Sequence, residues 1–125
     1  MSVVVDSSAL LAVVQRERGA EAVESVEGDL VVSPVILAET LSIAAERGFD
    51  VAAVEQDLMN MGLKIYNVVD EDVRRVIEMH GLAKLNISLA DRFCLALAQR
   101  LGLPTLTGDR AWARLELPIE VRLFR

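Results

Sequence analysis

The sequence has little of the chemistry from which disulfide-bonded and zinc-dependent proteins are built. Its 125 residues include one cysteine, Cys94, and one histidine, His80. A lone cysteine cannot form an internal disulfide, and a zinc hydrolase requires more imidazoles than this chain has. Cys94 lies in the apolar run 93–98, which indicates a small buried side chain rather than a ligand.

Long hydrophobic runs are also missing. No apolar stretch approaches the ~20 residues that a transmembrane helix needs. The first six residues contain three valines and an aspartate but no basic side chain, so we expect no signal peptide and a cytoplasmic location. Hydrophobic residues nevertheless make up 53% of the chain. This is enough for one core, and we expect a single domain over residues 1–125.

Lysine is absent after Lys84, and the charge of the chain is unevenly distributed. The formal net charge is -6, which by itself argues weakly against nucleic acid binding. Residues 92–125, however, contain six arginines and only three acids. Arginine without lysine suits bidentate phosphate contacts, although an ordinary solvated surface would look the same.

Short apolar runs alternate with helical patterns along the whole chain. We predict strands at 3–5, 30–32, 63–69, 104–107 and 119–123. We predict helices at 9–15, 20–26, 34–47, 50–61, 70–83, 88–101 and 109–115. This alternation predicts an α/β fold in which helices cover a mainly parallel central sheet.

Two acidic residues follow predicted strands. Asp6 comes directly after Val3–Val5, and Asp109 follows the strand 104–107 through Gly108. Open parallel sheets bind ligands beyond the carboxyl ends of their strands. Each aspartate is equally well explained as the N-cap of the helix that follows it.

Two further acids lie on the apolar faces of helices. Glu39 has Val35, Ile36 and Ile43 as its neighbours one turn away, and Asp91 precedes Cys94 and Leu95 at helical spacing. Buried carboxylates are costly unless they are paired or bind a metal. The alternatives are a glutamate at the edge of the stripe and, for Asp91, a capping box with Ser88.

Four acids without an accompanying histidine, cysteine or lysine cluster favour a hard cation, Mg²⁺ or Mn²⁺. Such ions bind phosphates and activate water, so the residues predict metal-dependent phosphoryl or phosphodiester chemistry. A haloacid dehalogenase phosphatase would need a second acid two residues after Asp6, and a response-regulator receiver would need a late lysine. A non-catalytic α/β interaction module remains open, and it would bind no divalent metal.

At these four positions the sequence resembles the PIN-domain family, and within it the VapC-type toxins. The resemblance covers the whole chain, although no single segment is specific by itself. The matching segments, in order, are Val4 to Leu10, Leu37 to Glu39, Ser88 to Arg92 and Leu106 to Arg110.

The resemblance implies a three-layer α/β/α sandwich and a Mg²⁺- or Mn²⁺-dependent endoribonuclease. It also implies a VapB-like antitoxin partner and a homodimer, although the family includes RNA-processing nucleases that are not toxins. Carried over by position, the metal ligands and catalytic acids are Asp6, Glu39, Asp91 and Asp109. Ser7 and Thr107 become supporting hydroxyls, and Gly108 is a mild departure from the alanine that is common in the family.

Two surfaces follow from these expectations. We expect Arg92, Arg110 and Arg114 to hold RNA phosphates beside the acids, with Trp112 available either for packing or for stacking on a base. An antitoxin segment is expected to lie over the first three helices. Their aliphatic side chains exceed what one sheet face buries: Leu10, Leu11, Val14, Val23, Ile36, Leu37 and Ile43.

Overall fold

A computed structural model of the chain describes all 125 residues and contains one five-stranded sheet in which every strand pair is parallel. The strands are β1 (Val3–Val5), β2 (Leu30–Val32), β3 (Lys64–Ile65), β4 (Thr105–Thr107) and β5 (Val121–Leu123). The α-helices are α1 (Ser7–Gln15), α2 (Ala20–Glu24), α3 (Pro34–Glu46), α4 (Val51–Asn60), α5 (Asp70–Glu78) and α6 (Leu89–Leu101). Two 3-10 helices cover His80–Leu85 and Arg110–Arg114.

The strand order is β3-β2-β1-β4-β5. The chain therefore adds β2 and β3 on one side of β1, and then adds β4 and β5 on the other side. The crevice of an open α/β sheet lies where the direction of building reverses, here between β1 and β4. Val5 pairs with Leu106 in this register. The residues that follow the two strands, including Asp6 and Asp109, therefore start from adjacent positions at the same edge of the sheet.

The central strands are covered on both faces. All residues of β1, β2 and β4 are buried, and α1 and α6 both contact β1 and β4. A parallel strand whose side chains are buried in both directions needs a helical layer on each side. The predicted three-layer α/β/α fold is confirmed, and none of its helices is long and apolar enough to cross a membrane.

The region around β3 differs from its prediction. The strand has only two residues, both exposed, because it lies at the edge of the sheet and pairs with β2 alone. The predicted helix 70–83 ends at Glu78 and continues as a 3-10 helix. The sequence also suggests Asp70 as the cap of this helix, but Val69 occupies that position, and the Asp72 carboxylate accepts a hydrogen bond from the Val69 N–H at 3.2 Å.

The expected aliphatic surface of the first three helices is mostly buried. Leu10, Leu11, Val23, Ile36 and Leu37 are all less than a tenth exposed. They are buried because these helices pack against one another as well as against the sheet, with α1 contacting both α2 and α3. The prediction of a large free apolar face there was therefore wrong.

Candidate active site

Asp6 lies at the end of β1 and is almost completely buried. Its Oδ1 accepts hydrogen bonds from the Ala9 N–H at 3.0 Å and the Ser8 hydroxyl at 2.7 Å. Its Oδ2 accepts one from the Thr107 hydroxyl at 2.5 Å. Asp6 therefore caps α1, as the alternative interpretation held, and it also binds the end of β4.

The net effect on Asp6 is a raised pKa. Burial is the largest cause, because it removes the charged form from water. The hydrogen bonds from Thr107, Ser8 and Ala9 act in the opposite direction, and the charge of Asp91 adds to the rise. Asp91 is therefore close enough to Asp6 for the two charges to interact.

Two hydroxyls join the ends of β1 and β4. Thr107 donates to Asp6 and accepts from the Asp109 N–H at 3.0 Å. Ser8 donates to Asp6 and accepts from the Gly108 N–H at 2.9 Å. Thr107 lies where the sequence predicted a supporting hydroxyl. On the β1 side, the hydroxyl that hydrogen-bonds to Asp6 belongs to Ser8. Ser7 makes no side-chain hydrogen bond, and its role remains a prediction.

Ser8 was not among the predicted supporting hydroxyls, although the sequence contains a signal for it. A serine two residues after an aspartate at a helix start is well placed to share hydrogen bonds with that aspartate. What it also does here, accepting from a backbone N–H 100 residues further along the chain, depends on the pairing of β1 with β4.

Asp91 performs the capping function that the Ser88 motif indicated. Its carboxylate accepts from the Ser88 N–H at 3.0 Å, and its own N–H donates to the Ser88 hydroxyl at 3.1 Å. The same carboxyl is largely withdrawn from solvent, and this burial is the main cause of its raised pKa. The hydrogen bonds with Ser88 lower the pKa, and the charges of Glu39 and Asp109 raise it further.

Glu39 and Asp109 differ from the other two acids in their surroundings. Glu39 is half-buried on α3, and its side chain makes no hydrogen bond within the protein. Asp109 is exposed and caps the second 3-10 helix, accepting from the Ala111 N–H at 3.0 Å. Asp91 is the common neighbour, since its pKa responds to Glu39 and Asp109 and its charge acts on Asp6.

We call these four residues the acid cluster, because Asp91 interacts electrostatically with each of the other three, of which Asp6 is the buried member. No three histidine, cysteine, aspartate or glutamate side chains converge closely enough to hold one ion together in this structure. The donors are nevertheless of the kind that Mg²⁺ and Mn²⁺ prefer, because they are carboxylate oxygens with two hydroxyls beside them. A bound cation would offset the repulsion that Asp6 receives from Asp91 and that Asp91 receives from Glu39 and Asp109.

A family model for the PIN domain matches residues 3–117. The chain belongs to the PIN-domain family. The matched range includes all four acids, from the end of β1 to the start of the second 3-10 helix. No curated protein matches the chain by sequence.

Solved structures of VapBC proteins share the fold of this PIN domain. The VapBC complex of Salmonella typhimurium, bound to DNA, aligns with a TM-score of 0.76 and 15% identity over 100% of this chain and 99% of that one. VapBC2 of Rickettsia felis, bound to a promoter DNA fragment, aligns at 0.74 and 13% over 98% of each chain. VapC20 of Mycobacterium tuberculosis, described as a toxin that cleaves the sarcin-ricin loop, aligns at 0.70 and 15% over 94% and 98%.

The predicted RNA-binding arginines of the PIN domain are not equivalent. Arg110 and Arg114 are exposed and form no ion pair in the structure. Arg92 is half-buried, and its guanidinium donates to the Ser88 and Val76 carbonyl oxygens at 3.4 and 3.5 Å. Arg110 and Arg114 are therefore the two of the three whose guanidinium groups make no polar contact within the protein.

Trp112 and Cys94 are both part of the core. Trp112 is 1% exposed, so its ring cannot serve as a stacking platform for an RNA base. Its indole N–H has no hydrogen-bond partner. Cys94 is fully buried and contacts the Val5 carbonyl oxygen at 3.6 Å, as expected for a small core side chain. Burial raises the pKa of its thiol, which makes it a poor nucleophile.

Proposed function

We propose that this PIN domain is a divalent-metal-dependent endoribonuclease of the VapC type. The observation that carries the proposal is the acid cluster: Asp6, Glu39, Asp91 and Asp109 come from four different elements and lie within electrostatic reach of one another through Asp91. A fold gains no stability from gathering negative charges, and such clusters are typical of functional sites.

The residues proposed to hold Mg²⁺ or Mn²⁺ are these four acids. When bound, the ion supplies the positive charge that stabilises a scissile phosphate. Ser8 and Thr107 fix the buried member of the set, because each of them donates to a different oxygen of Asp6. The Thr107 hydroxyl also accepts from the Asp109 backbone N–H. One hydroxyl therefore positions both Asp6, which follows β1, and Asp109, which follows β4. Ser7 is proposed to lie near enough to orient water.

Metal binding and RNA cleavage together test this proposal. Asp109→Asn keeps an oxygen that can cap the 3-10 helix but removes the charge, so it should fold normally and lose both Mn²⁺ affinity and RNA cleavage. The loss of cleavage should exceed about 100-fold, because changes outside the direct ligands cost about 10- to 100-fold. Glu55→Gln, which neutralises an exposed acid on α4, is the matched control. Wild-type cleavage that persists in EDTA would contradict the proposal.

Arg110 and Arg114 are proposed to bind RNA phosphates on either side of the cleavage site, with Arg92 as a third contact once its carbonyl bonds are released. Each phosphate contact releases condensed counterions, so RNA affinity should depend on salt. With Ca²⁺ present to suppress cutting, Arg110→Ala with Arg114→Ala should bind RNA more weakly and with a shallower salt dependence. An unchanged slope would show that these arginines do not touch RNA.

A VapB-like antitoxin is the proposed protein partner, since the similar structures from Salmonella and Rickettsia are VapBC complexes. The surface that suits an apolar antitoxin segment is a cleft of about 260 Å³ between α1 and α4. Its apolar lining is Val13, Val14, Val54, Leu58 and Met61. Arg16, Glu24 and Asp57 form its charged rim.

Self-association is proposed for a different surface. Val73 and Ile77 lie one helical turn apart on α5 and are 42% and 62% exposed, so they present a short apolar stripe to solvent. We propose that this stripe forms the homodimer interface.

Ile77→Glu should convert a dimer to a monomer in light scattering, and Met61→Glu should instead release the antitoxin during co-purification. Each variant is the control for the other, and an exchange of the two outcomes would overturn both assignments.

A further inference from the structure

A cleft of about 340 Å³ lies between two short segments that lead to and from the acid cluster. One wall is formed by residues 84–87, which end directly before Ser88, the cap of the helix that carries Asp91. The other wall belongs to the 3-10 helix that begins one residue after Asp109. One wall of the cleft therefore leads into the helix that carries Asp91, and the other wall follows Asp109 directly in the chain.

The charge of this cleft is wholly positive. Lys84 lies on one wall and Arg114 on the other; both are exposed, and neither forms an ion pair. No acidic residue lines the cleft. This is unexpected in a chain with a net charge of -6. A cleft of similar size at the opposite edge of the sheet, about 360 Å³, includes both Glu24 and Asp29. The charge therefore favours an anionic occupant.

The remaining lining suits a flat heterocycle. Leu85 is 57% exposed, which leaves a large aliphatic side chain of the lining in contact with solvent. Leu115 adds further apolar surface. Asn86 is exposed, and its amide makes no hydrogen bond within the protein, so it is free to donate to and accept from the edge of a base. The volume falls within the range of about 300–1,000 Å³ that is typical of small-ligand sites.

We propose that this cleft binds one unpaired nucleotide of the RNA, next to the phosphate that is cut. The base contacts Leu85 and Leu115, the Asn86 amide contacts its edge, and Lys84 and Arg114 bind the phosphates on either side. Sequence-specific RNA recognition usually targets such unpaired nucleotides, whose bases are free to leave the stack. The assignment rests on the proposed ribonuclease function, and it adds Lys84, Leu85 and Asn86 to the residues that contact RNA.

The experiment measures binding of a fluorescent single-stranded RNA of twelve nucleotides to the full-length protein in Ca²⁺, across a range of salt concentrations. Lys84→Ala with Arg114→Ala should weaken binding by about tenfold or more and lower the salt slope by about 1.4, the value for two phosphate contacts on a single strand. Leu85→Ala should weaken binding without changing the slope. Asn86→Gly keeps the positive φ of 62° that this position adopts, and it should reduce discrimination between homopolymers.

The matched control is Lys64→Ala with Arg47→Ala, which removes one lysine and one arginine at the start of β3 and the end of α3. If the cleft variants bind RNA as this control does while the wild type cuts RNA, the cleft assignment is wrong and the proposed function stands. If the wild type binds RNA through the cleft but never cuts it, the proposed function fails, the position next to a cut phosphate is refuted with it, and the cleft stands as a nucleotide-binding site alone. If the cleft variants lose antitoxin binding and keep RNA binding, the cleft belongs to the interface with the protein partner, and the proposal is overturned.

Discussion

Asp91 combines a structural and a proposed catalytic role, and two substitutions separate them. Asp91→Asn removes the charge but keeps an oxygen that can accept from the Ser88 N–H, a bond of 3.0 Å in the structure. Asp91→Ala removes both. Since burial and the charges of Glu39 and Asp109 all raise the pKa of this carboxyl, its ionised form destabilises the metal-free fold. Neutralising it should therefore leave the protein as stable as the wild type or more so.

The magnitude follows from the capping box. A lost N-terminal capping contact costs about 0.5–2 kcal/mol, and for a domain of this size about 1 kcal/mol lowers Tm by roughly 4 °C. Thermal unfolding in EDTA should place Asp91→Asn at or above the wild type and Asp91→Ala below Asp91→Asn by about that amount. Both variants should fail to cut RNA. Mn²⁺ should raise the Tm of the wild type, by about 2.7 kcal/mol in stability at a hundredfold excess over its Kd, and raise neither variant as much.

The result that would refute this reasoning is equally clear. If Asp91→Asn destabilises the metal-free protein as strongly as Asp91→Ala and still cuts RNA, Asp91 serves only in the capping box that it forms with Ser88 at the start of α6. The raised pKa would then reflect burial alone, and the acid cluster would lose its central member.

Three further predictions concern the fold around the site. Thr107→Val leaves one oxygen of the buried Asp6 carboxylate without its 2.5 Å donor and should cost about 1–3 kcal/mol in chemical denaturation; Thr105→Val, in the same buried strand, is the control and should cost less. Arg100→Ala strands the Asp72 carboxylate, which is 3% exposed and accepts two bonds from that guanidinium, and should cost about 3 kcal/mol; no change would show that the pair is not formed. Because the folded pKa of Asp6 is raised above 3.8, the folded state holds this proton to higher pH than the unfolded state. Stability in EDTA should therefore fall as pH rises from 3.8 through the folded pKa, and the fall should be smaller in Asp6→Asn; equal slopes would contradict it.

The strands were predicted most accurately where both of their faces are buried. The valine runs of β1 and β2 were predicted with their observed bounds because a central parallel strand is buried on both faces. Asp6 and Asp109 could be placed at the same edge of the sheet for the same reason. The predicted strand 63–69 was longer than the observed β3 because it included Tyr66 and Val69. Aromatic and β-branched residues favour strands, but these two are exposed, and residue type alone does not indicate burial at a sheet edge.

The contacts of individual side chains could not be predicted, because they depend on pairing between distant segments. Ser8, and not Ser7, bridges the two strand ends because its hydroxyl accepts from the Gly108 N–H. Arg92 is half-buried and donates to the Val76 carbonyl oxygen, a contact that lies 16 residues away in the chain. Trp112 could be either a packing residue or a stacking one by sequence, and only its position against the core decided for packing.

Glu39→Gln provides the most direct measurement of the central claim, that the acid cluster cuts RNA with a divalent ion. Glu39 makes no hydrogen bond within the protein, so no lost structural contact accounts for an effect of this substitution. The rate of RNA cleavage should be measured against Mn²⁺ concentration for the wild type, for Glu39→Gln and for the control Glu55→Gln. We predict a loss of more than about 100-fold in Glu39→Gln, with the control unchanged and no cutting without the ion. Cleavage by Glu39→Gln at the wild-type rate would contradict the claim.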